Sequence, residues 1–240
     1  MSIVLVIIGL IVAGILVGSD MINAAAVRMQ IAQIEKYNSA VHAFQSKYGG
    51  LPGDLDYRDA NSYGFNVTNC GAANMGLPGM RDGNGLLDGY YPYQFAQTGG
   101  EVELFWQDLS QANLIDATIT GNGLTAANCH STLAVSGDMS GIYPVAKIGY
   151  GAYIYVYEYN ANNWFGVSSV TSTDGTDGMY SSPKLPVLVA YNLNNKIDDG
   201  IPTTGRIQAI YMNGENVRLP TTTTTSGGNR SRRTHADCAD

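Results

Sequence analysis

The sequence predicts an α+β protein in which a long N-terminal helix packs on a β-rich, loop-rich globular head with an antiparallel sheet. Three observations predict this fold: an unbroken apolar run near the N-terminus, a helical stripe that continues it, and a later alternating segment that returns as a hairpin. The chain has 240 residues, of which 45% are apolar and 14% charged, so it can form one domain with a core and an appendage.

The apolar run extends from Ile3 to Gly18, and the first charge is Asp20. As a helix this run would be roughly 24 Å long, short of a hydrocarbon layer of about 30 Å. A membrane anchor is the favoured interpretation, because the run lacks the polar stripe of an ordinary core helix. A cleaved secretory signal is the alternative: Ala24 and Ala26 have the spacing of a cleavage site, although no basic residue precedes the run.

The same helix is predicted to continue to Tyr48, because neither proline nor glycine occurs from Asp20 to Tyr48. Apolar residues recur there at spacings of three and four and form one stripe. The first half is therefore expected in lipid or among similar helices, and the second half on the head. The side chains expected to pack on the head are Val27, Ile31, Ile34, Val41, Phe44 and Tyr48.

Beyond the helix, the segment 54–100 is rich in Gly, Asn and Tyr and is predicted to be mostly loop. A short helix is predicted over 102–115, where apolar residues share one face. The segment 147–159 alternates and predicts a strand, which returns through a turn at 160–163 to a partner at 164–170. The predicted division of the chain is an apolar helix 1–20, an amphipathic helix 21–50, a head 51–220 and a flexible Thr/Gly/Arg tail 221–240.

Two later segments carry further predictions. Residues 186–195 fit either a short helix or a buried strand, and residues 207–212 predict a strand. Four tyrosines of the strand predicted over 147–159 are expected in the core or in a subunit contact: Tyr153, Tyr155, Tyr157 and Tyr159. An exposed binding surface is the alternative.

The N-terminal stretch SIVLVIIGLIVAGILVG, with the amphipathic stretch that ends QIEKYNSAVHAFQSKYGGLPGDL, resembles the start of type IV pilins and type II secretion pseudopilins. Segments 103–115, 195–202 and 204–207 resemble larger pilin-like members of that group. The resemblance implies a structural subunit of a pilus-like or pseudopilus filament, with no enzymatic activity. It also implies a helical homopolymer, assembled by inner-membrane machinery from subunits that first lie in the lipid bilayer.

The implied location is the bacterial inner membrane before assembly, and then an extracellular filament or a periplasm-spanning pseudopilus. The net charge of −7 argues against a specific nucleic-acid partner. No nucleophile elbow, phosphate loop or zinc signature is present in the sequence. The alternative function is that of a membrane-anchored surface-binding or adhesion protein that does not polymerise.

An all-apolar helix is stable in lipid and equally stable among copies of itself. Glycines at small-xxx-small spacing permit two such helices to approach closely. Alternatively, these glycines only moderate the helix stability of an ordinary membrane anchor. The residues expected to pack in a filament core are Ile3, Val4, Ile7, Gly9, Leu10, Ile11, Gly14, Ile15 and Gly18.

The sequence departs from the pilin pattern at its start. The family has a short basic leader, and its mature chain then opens with Phe, a few apolar residues and Glu, none of which is present here. We hypothesise that Met1 is an internal methionine of a longer chain, because five more residues would add about 7.5 Å of helix and reach membrane thickness. Leader processing and N-methylation are implied by the resemblance but have no residues in this sequence.

Oxygen-bearing side chains at Asp82, Asn84 and Asp88 have spacings typical of calcium turns. The distal Glu of a full calcium loop is missing, so an Asp/Asn/Gly turn is the alternative. Asp198 and Asp199 could join a calcium site or end a helix in a surface turn. No cofactor other than this possible calcium is predicted.

Three cysteines, Cys70, Cys129 and Cys238, allow one internal disulfide, and the sequence leaves the pairing open. An exported head would favour such a bridge. The pilin family often closes a C-terminal loop by a disulfide, which makes Cys238 a candidate.

Overall fold

The computed structural model describes residues 2–67, 76–77, 79–89, 98–121, 124–125, 130–131, 135–174 and 178–209. Its first element is α1 (Ser2–Tyr48), a single helix of 47 residues. Gly49 ends it with a φ of 88°, a left-handed conformation that glycine adopts without strain. The predicted continuous helix and its end are confirmed.

Two further helices follow α1. α2 (Tyr57–Tyr63) is a short helix within the segment predicted to be mostly loop. The Asp56 carboxylate caps it by accepting the Arg58 N–H at 2.9 Å. α3 (Gly100–Gln111) begins earlier and ends earlier than predicted. Its end is followed by Asn113 with a φ of 57°, which cannot continue a right-handed helix.

The strand β4 (Tyr153–Tyr159) pairs antiparallel with β5 (Asn162–Asp174), and this confirms the predicted hairpin. Asn160 and Ala161 have φ of 54° and 56°, the two positive values that a two-residue type I′ turn requires. The prediction is wrong for residues 147–152, which form a loop with three consecutive positive φ values.

β5 is the central strand of a four-stranded sheet. β4 pairs with its first half, and β3 (Val135–Ser136) and β6 (Gly178–Ser182) pair with its second half. Two short strands, β1 (Leu124–Thr125) and β2 (His130–Ser131), pair separately.

The last described helix is α4 (Val187–Ile197), so the segment predicted as helix or strand is a helix. The strand predicted over 207–212 is wrong for residues 207–209, which have no regular structure; residues 210–212 lie outside the described residues.

The core lies where the second half of α1, α3 and β4 meet. Phe44, Trp106, Tyr143 and Ile154 are completely buried there, and the Tyr37 ring meets the Trp106 ring edge-on at 5.0 Å. This packing joins one stripe of α1 to the sheet through α3.

The tyrosines of β4 contribute to this core. Tyr155 and Tyr157 are buried, whereas Tyr153 and Tyr159 are half-buried and packed against buried residues. Gly166 lies directly opposite Tyr155 in the sheet, and a Cβ there would lie 2.2 Å from the Tyr155 ring. Glycine at this position therefore lets the ring lie across the neighbouring strand.

Candidate functional site

The apolar half of α1 (residues 3–22) has no packing partner among the described residues. Its most apolar 18-residue window has a mean hydropathy of 2.1 and is 0% buried. Each large apolar side chain described there is at least half exposed, from 51% for Ile7 to 77% for Ile3. Within the described part of the chain, α1 is the one helix long and apolar enough to cross a membrane, and it is compatible with membrane anchoring.

The glycines of the apolar half have open space beside them. A Cβ placed on Gly9, Gly14 or Gly18 would meet nothing within 4 Å. The fold of a single chain therefore does not require glycine at these three positions. The six other residues expected in a filament core are all exposed: Ile3, Val4, Ile7, Leu10, Ile11 and Ile15.

The packed half of α1 (residues 23–48) has the opposite surroundings. Val27 and Phe44 are 1% and 0% exposed, and four further residues of the predicted stripe are half-buried against the core: Ile31, Ile34, Val41 and Tyr48. Polar contacts reinforce this packing. The Gln30 Oε1 accepts the Ile148 N–H at 3.0 Å, and the Gln33 side chain bonds to the backbone of the same loop.

The head carries an acidic cluster, defined by Asp54, Asp82 and Glu101, whose carboxylate oxygens lie within 4.8 Å of one another. Asp54 follows the turn after α1, and Glu101 is in the first turn of α3. A Cβ on Gly53 would lie 2.3 Å from the Glu101 carbonyl oxygen, so this glycine permits the close approach that brings Asp54 beside α3.

Backbone N–H groups of the loop 81–88 surround two of these carboxylates. Asp54 accepts the N–H groups of Gly83 and Gly85 at 2.9 and 2.7 Å. Glu101 accepts the N–H groups of Arg81, Asp82 and Asp88 at 2.8, 3.3 and 3.0 Å. The loop therefore folds around buried carboxyl oxygens and directs its N–H groups at them.

The buried cation beside this loop is already paired. Arg81 makes two hydrogen bonds to Asp108, at 3.0 and 2.7 Å, and both side chains are 0% exposed. Asp108 also accepts the Gly53 N–H at 2.7 Å. The Arg81 guanidinium is thus neutralised by Asp108, a carboxylate outside the acidic cluster.

Burial and like charge raise the pKa values of the cluster. Burial, assisted by the neighbouring Asp82, raises the pKa of Asp54 to about 7. Burial, and then the charge of Asp54, raises the pKa of Glu101 well above its usual value, and burial also raises the pKa of Asp88. These acids favour binding either protons or a cation. Two oxygens on opposite sides of a bound Ca²⁺ are up to about 5 Å apart, so the spacing fits this ion.

The structure brings the three predicted calcium ligands together, but in a different arrangement from a calcium turn. The Asn84 amide nitrogen donates to Asp82 at 2.8 Å and to Asp88 at 3.2 Å, while its oxygen accepts the Leu86 N–H. Asn84 therefore offers these acids a donor. Sequence reasoning missed Asp54 and Glu101, because only tertiary packing brings these distant residues to the loop.

Asp198 and Asp199 lie outside this cluster and close the turn after α4. Asp198 accepts the backbone N–H groups of Arg206 and Ile207, and Asp199 accepts the Ile201 N–H and the Thr204 hydroxyl. Among the described residues they are not part of the group that could hold a metal. The three disulfide candidates, Cys70, Cys129 and Cys238, lie outside the described residues.

No protein-family model, curated protein or solved structure matches this chain. Its layout, a long N-terminal apolar helix with an antiparallel sheet in the head, is pilin-like in shape.

Proposed function

We propose that this protein is a structural subunit of a type IV pilus-like or pseudopilus filament, assembled from the membrane by packing of its apolar helices. One observation carries the proposal: a single continuous helix is embedded in the head along residues 23–48 and has no packing partner among the described residues along 3–22. The resemblance of the N-terminal stretch to pilins and pseudopilins supports the same function.

The physical argument concerns what can cover the apolar half. A helix without a polar face is stable in lipid, where the bilayer surrounds it, or in a bundle of similar helices. Transfer from lipid to such a bundle keeps its surface out of water. If one surface of each copy contacts a different surface of the next, and the rotation between copies does not close a ring, an open fibre grows.

In this proposal the protein starts in the bacterial inner membrane and ends in an extracellular filament or a periplasm-spanning pseudopilus. Its partners are the lipid bilayer, inner-membrane assembly machinery and further copies of this chain. Its function lies in assembly and not in catalysis.

The test is electron microscopy of cell-surface and sheared material from cells that produce Gly14→Leu or Ala32→Leu. Position 14 has open space in the single chain, so leucine there leaves the monomer folded but blocks close approach of a second helix. Ala32 is exposed in the packed half and is the matched control. We expect regular fibres from the parent and Ala32→Leu, and few or none from Gly14→Leu. A parent that remains a monomeric membrane protein would contradict the proposal and support the non-polymerising surface binder.

We further propose that the acidic cluster binds calcium and so stabilises the head. The observation in favour is the close approach of Asp54, Asp82 and Glu101 beside an arginine that is already paired. At a Ca²⁺ concentration 100 times the Kd, binding would contribute about 2.7 kcal/mol, or roughly 5–10 °C in Tm.

The measurement is the Tm of the head transition at pH 8 in EDTA and in Ca²⁺. We expect Ca²⁺ to raise the Tm of the parent and of Asp59→Asn, an exposed carboxylate on α2, but not that of Asp54→Asn. An unchanged parent Tm in Ca²⁺ would reject the calcium site and leave the filament proposal untouched.

A further inference from the structure

One loop of the head runs down α1 toward its apolar half. The Gln33 side chain bonds to Val145 and Lys147, Gln30 accepts the Ile148 N–H, and the Tyr150 hydroxyl donates to Asn23 at 3.4 Å. The loop thus descends α1 by ten residues, about 15 Å along the helix axis. It places Tyr150 next to the residue where the packed half begins.

The tip of this loop has an unusual backbone. Gly149, Tyr150 and Gly151 have φ values of 87°, 59° and 65°, and all three residues are exposed. A bulky side chain in the left-handed region is strained, and glycine would fit there more easily. The surroundings hold the tip in this form, since the Ser169 hydroxyl donates to the Tyr150 carbonyl and the Ala152 N–H donates to the Gly149 carbonyl. Strain that the fold maintains points to a use for the side chain.

The position of Tyr150 along the axis of α1 indicates that use. Asn23 directly follows the apolar half and is three residues past Asp20, the first charged residue, about 4.5 Å along the axis. The polar interface on each side of the hydrocarbon is roughly 5–7 Å thick. A tyrosine at this level can keep its ring against the acyl boundary and its hydroxyl among head groups.

We propose that Tyr150, presented by the loop 149–151, inserts into the lipid head-group layer and seats the head on the membrane surface before assembly. The inference rests on the proposed membrane anchoring of the apolar half. The occupant is a lipid interface and not a second copy, because the loop tip lies where the lipid-exposed part of α1 ends. Seating by this loop would fix the depth and the rotation of the head relative to the bilayer.

The test compares two exposed tyrosines at opposite ends of the head. The ring of Tyr63 lies 5.1 Å from that of Tyr48, which is about 37 Å farther along α1 than Asn23. The full chain with Tyr150→Trp or Tyr63→Trp is reconstituted in phosphatidylcholine–phosphatidylglycerol vesicles, with or without lipids brominated near the head group. Emission of the unaltered protein, which contains two tryptophans, is subtracted.

We expect bromination to quench about half of the emission added by Tyr150→Trp and none of that added by Tyr63→Trp, as an interfacial position requires. Equal quenching of the two variants would overturn the inference. An emission change that depends on the protein-to-lipid ratio but not on bromination would also overturn the inference, because it would show that the loop contacts another copy of the protein. Flotation of the vesicles separates the two proposals. If the protein floats with the vesicles but shows no quenching, only the seating inference is rejected. If the protein does not float, the membrane anchor is rejected as well.

A second measurement guards against misfolding of Tyr150→Trp. The unaltered chain is labelled with fluorotyrosine, and Tyr150→Gly, which suits the positive φ, identifies the Tyr150 resonance by its loss. Broadening of that resonance by a gadolinium chelate on lipid head groups is expected. A resonance that stays sharp would overturn the inference.

Discussion

The two halves of α1 share one backbone and differ in what covers them. In the packed half, one stripe is buried by the head and the opposite face carries polar residues that water solvates. In the apolar half, every described large apolar side chain is at least half exposed, and glycines leave further space. The packed half therefore needs only its own chain. The apolar half has no such cover among the described residues, and in our proposal lipid or other copies supply it.

The largest expected effect separates the two halves directly. Phe44→Ala should lower the free energy of unfolding of the head by about 3–5 kcal/mol, because it leaves a cavity at a position with 0% exposure. Ile11→Ala should leave that free energy unchanged, since Ile11 contacts no part of the head in one chain. The measurement is urea denaturation of detergent-solubilised protein, followed by tryptophan emission, to which the buried Trp106 contributes. Equal destabilisation by both changes would contradict the difference in packing between the two halves of α1.

The second effect, smaller in size, is a pH dependence confined to the head. Asp54, with a pKa of about 7, Glu101 and Asp88 bind protons more tightly in the folded state, so stability falls as pH rises above about 4, and the contribution of Asp54 to this fall ends near pH 7. In EDTA the Tm at pH 5.5 should exceed that at pH 8 by several degrees. Saturating Ca²⁺ should remove most of the difference, because the ion competes with the protons.

The control for this pH dependence is membrane retention. The apolar half contains no titratable side chain before Asp20, so flotation with vesicles should be the same at both pH values. A Tm in EDTA that rises between pH 5.5 and 8 would contradict the raised pKa values. Asp54→Asn should reduce the difference in Tm between the two pH values, whereas the exposed Asp59→Asn should leave it unchanged.

The sequence was sufficient for elements that depend on local pattern. The periodicity of α1 reveals the whole helix, and the alternation around Tyr155 with the turn at Asn160 reveals the hairpin. It was insufficient where a few residues in special conformations override the pattern. Gly149 to Gly151 break an alternating segment that otherwise reads as strand, and a local side-chain cap at Asp56 starts a helix in a glycine-rich stretch.

The candidate sites divide in the same way. The apolar half is visible in the sequence because composition alone defines it. The acidic cluster is only partly visible: Asp82 lies in a recognisable turn, but Asp54 and Glu101 reach it through packing of the segment after α1 against α3. No local spacing encodes a contact of that kind.

A third expected effect tests which contact holds the head on α1 near the N-terminal end of the packed half. Gln30 is fully buried, its Oε1 accepts the Ile148 N–H, and its Nε2 has no hydrogen-bond partner within the described part of the chain. Gln30→Met should cost about 1–3 kcal/mol in unfolding free energy, because it leaves the buried Ile148 N–H unpaired. Hydrogen exchange of that amide should accelerate in parallel. Slow exchange with unchanged stability would show that packing, and not this bond, holds the loop on α1.

The smallest expected effect concerns the solvent-facing side of the packed half. Lys36 forms an exposed ion pair with Asp116, and this lowers the pKa of the Asp116 carboxyl. Solvent screens such a pair, so Lys36→Ala should leave the Tm within experimental scatter, with or without added salt. A clear, salt-dependent loss would mean that charge as well as apolar packing fixes the head on α1. The packed half would then differ from the apolar half in two kinds of interaction, and the contrast between the halves would rest on more than burial.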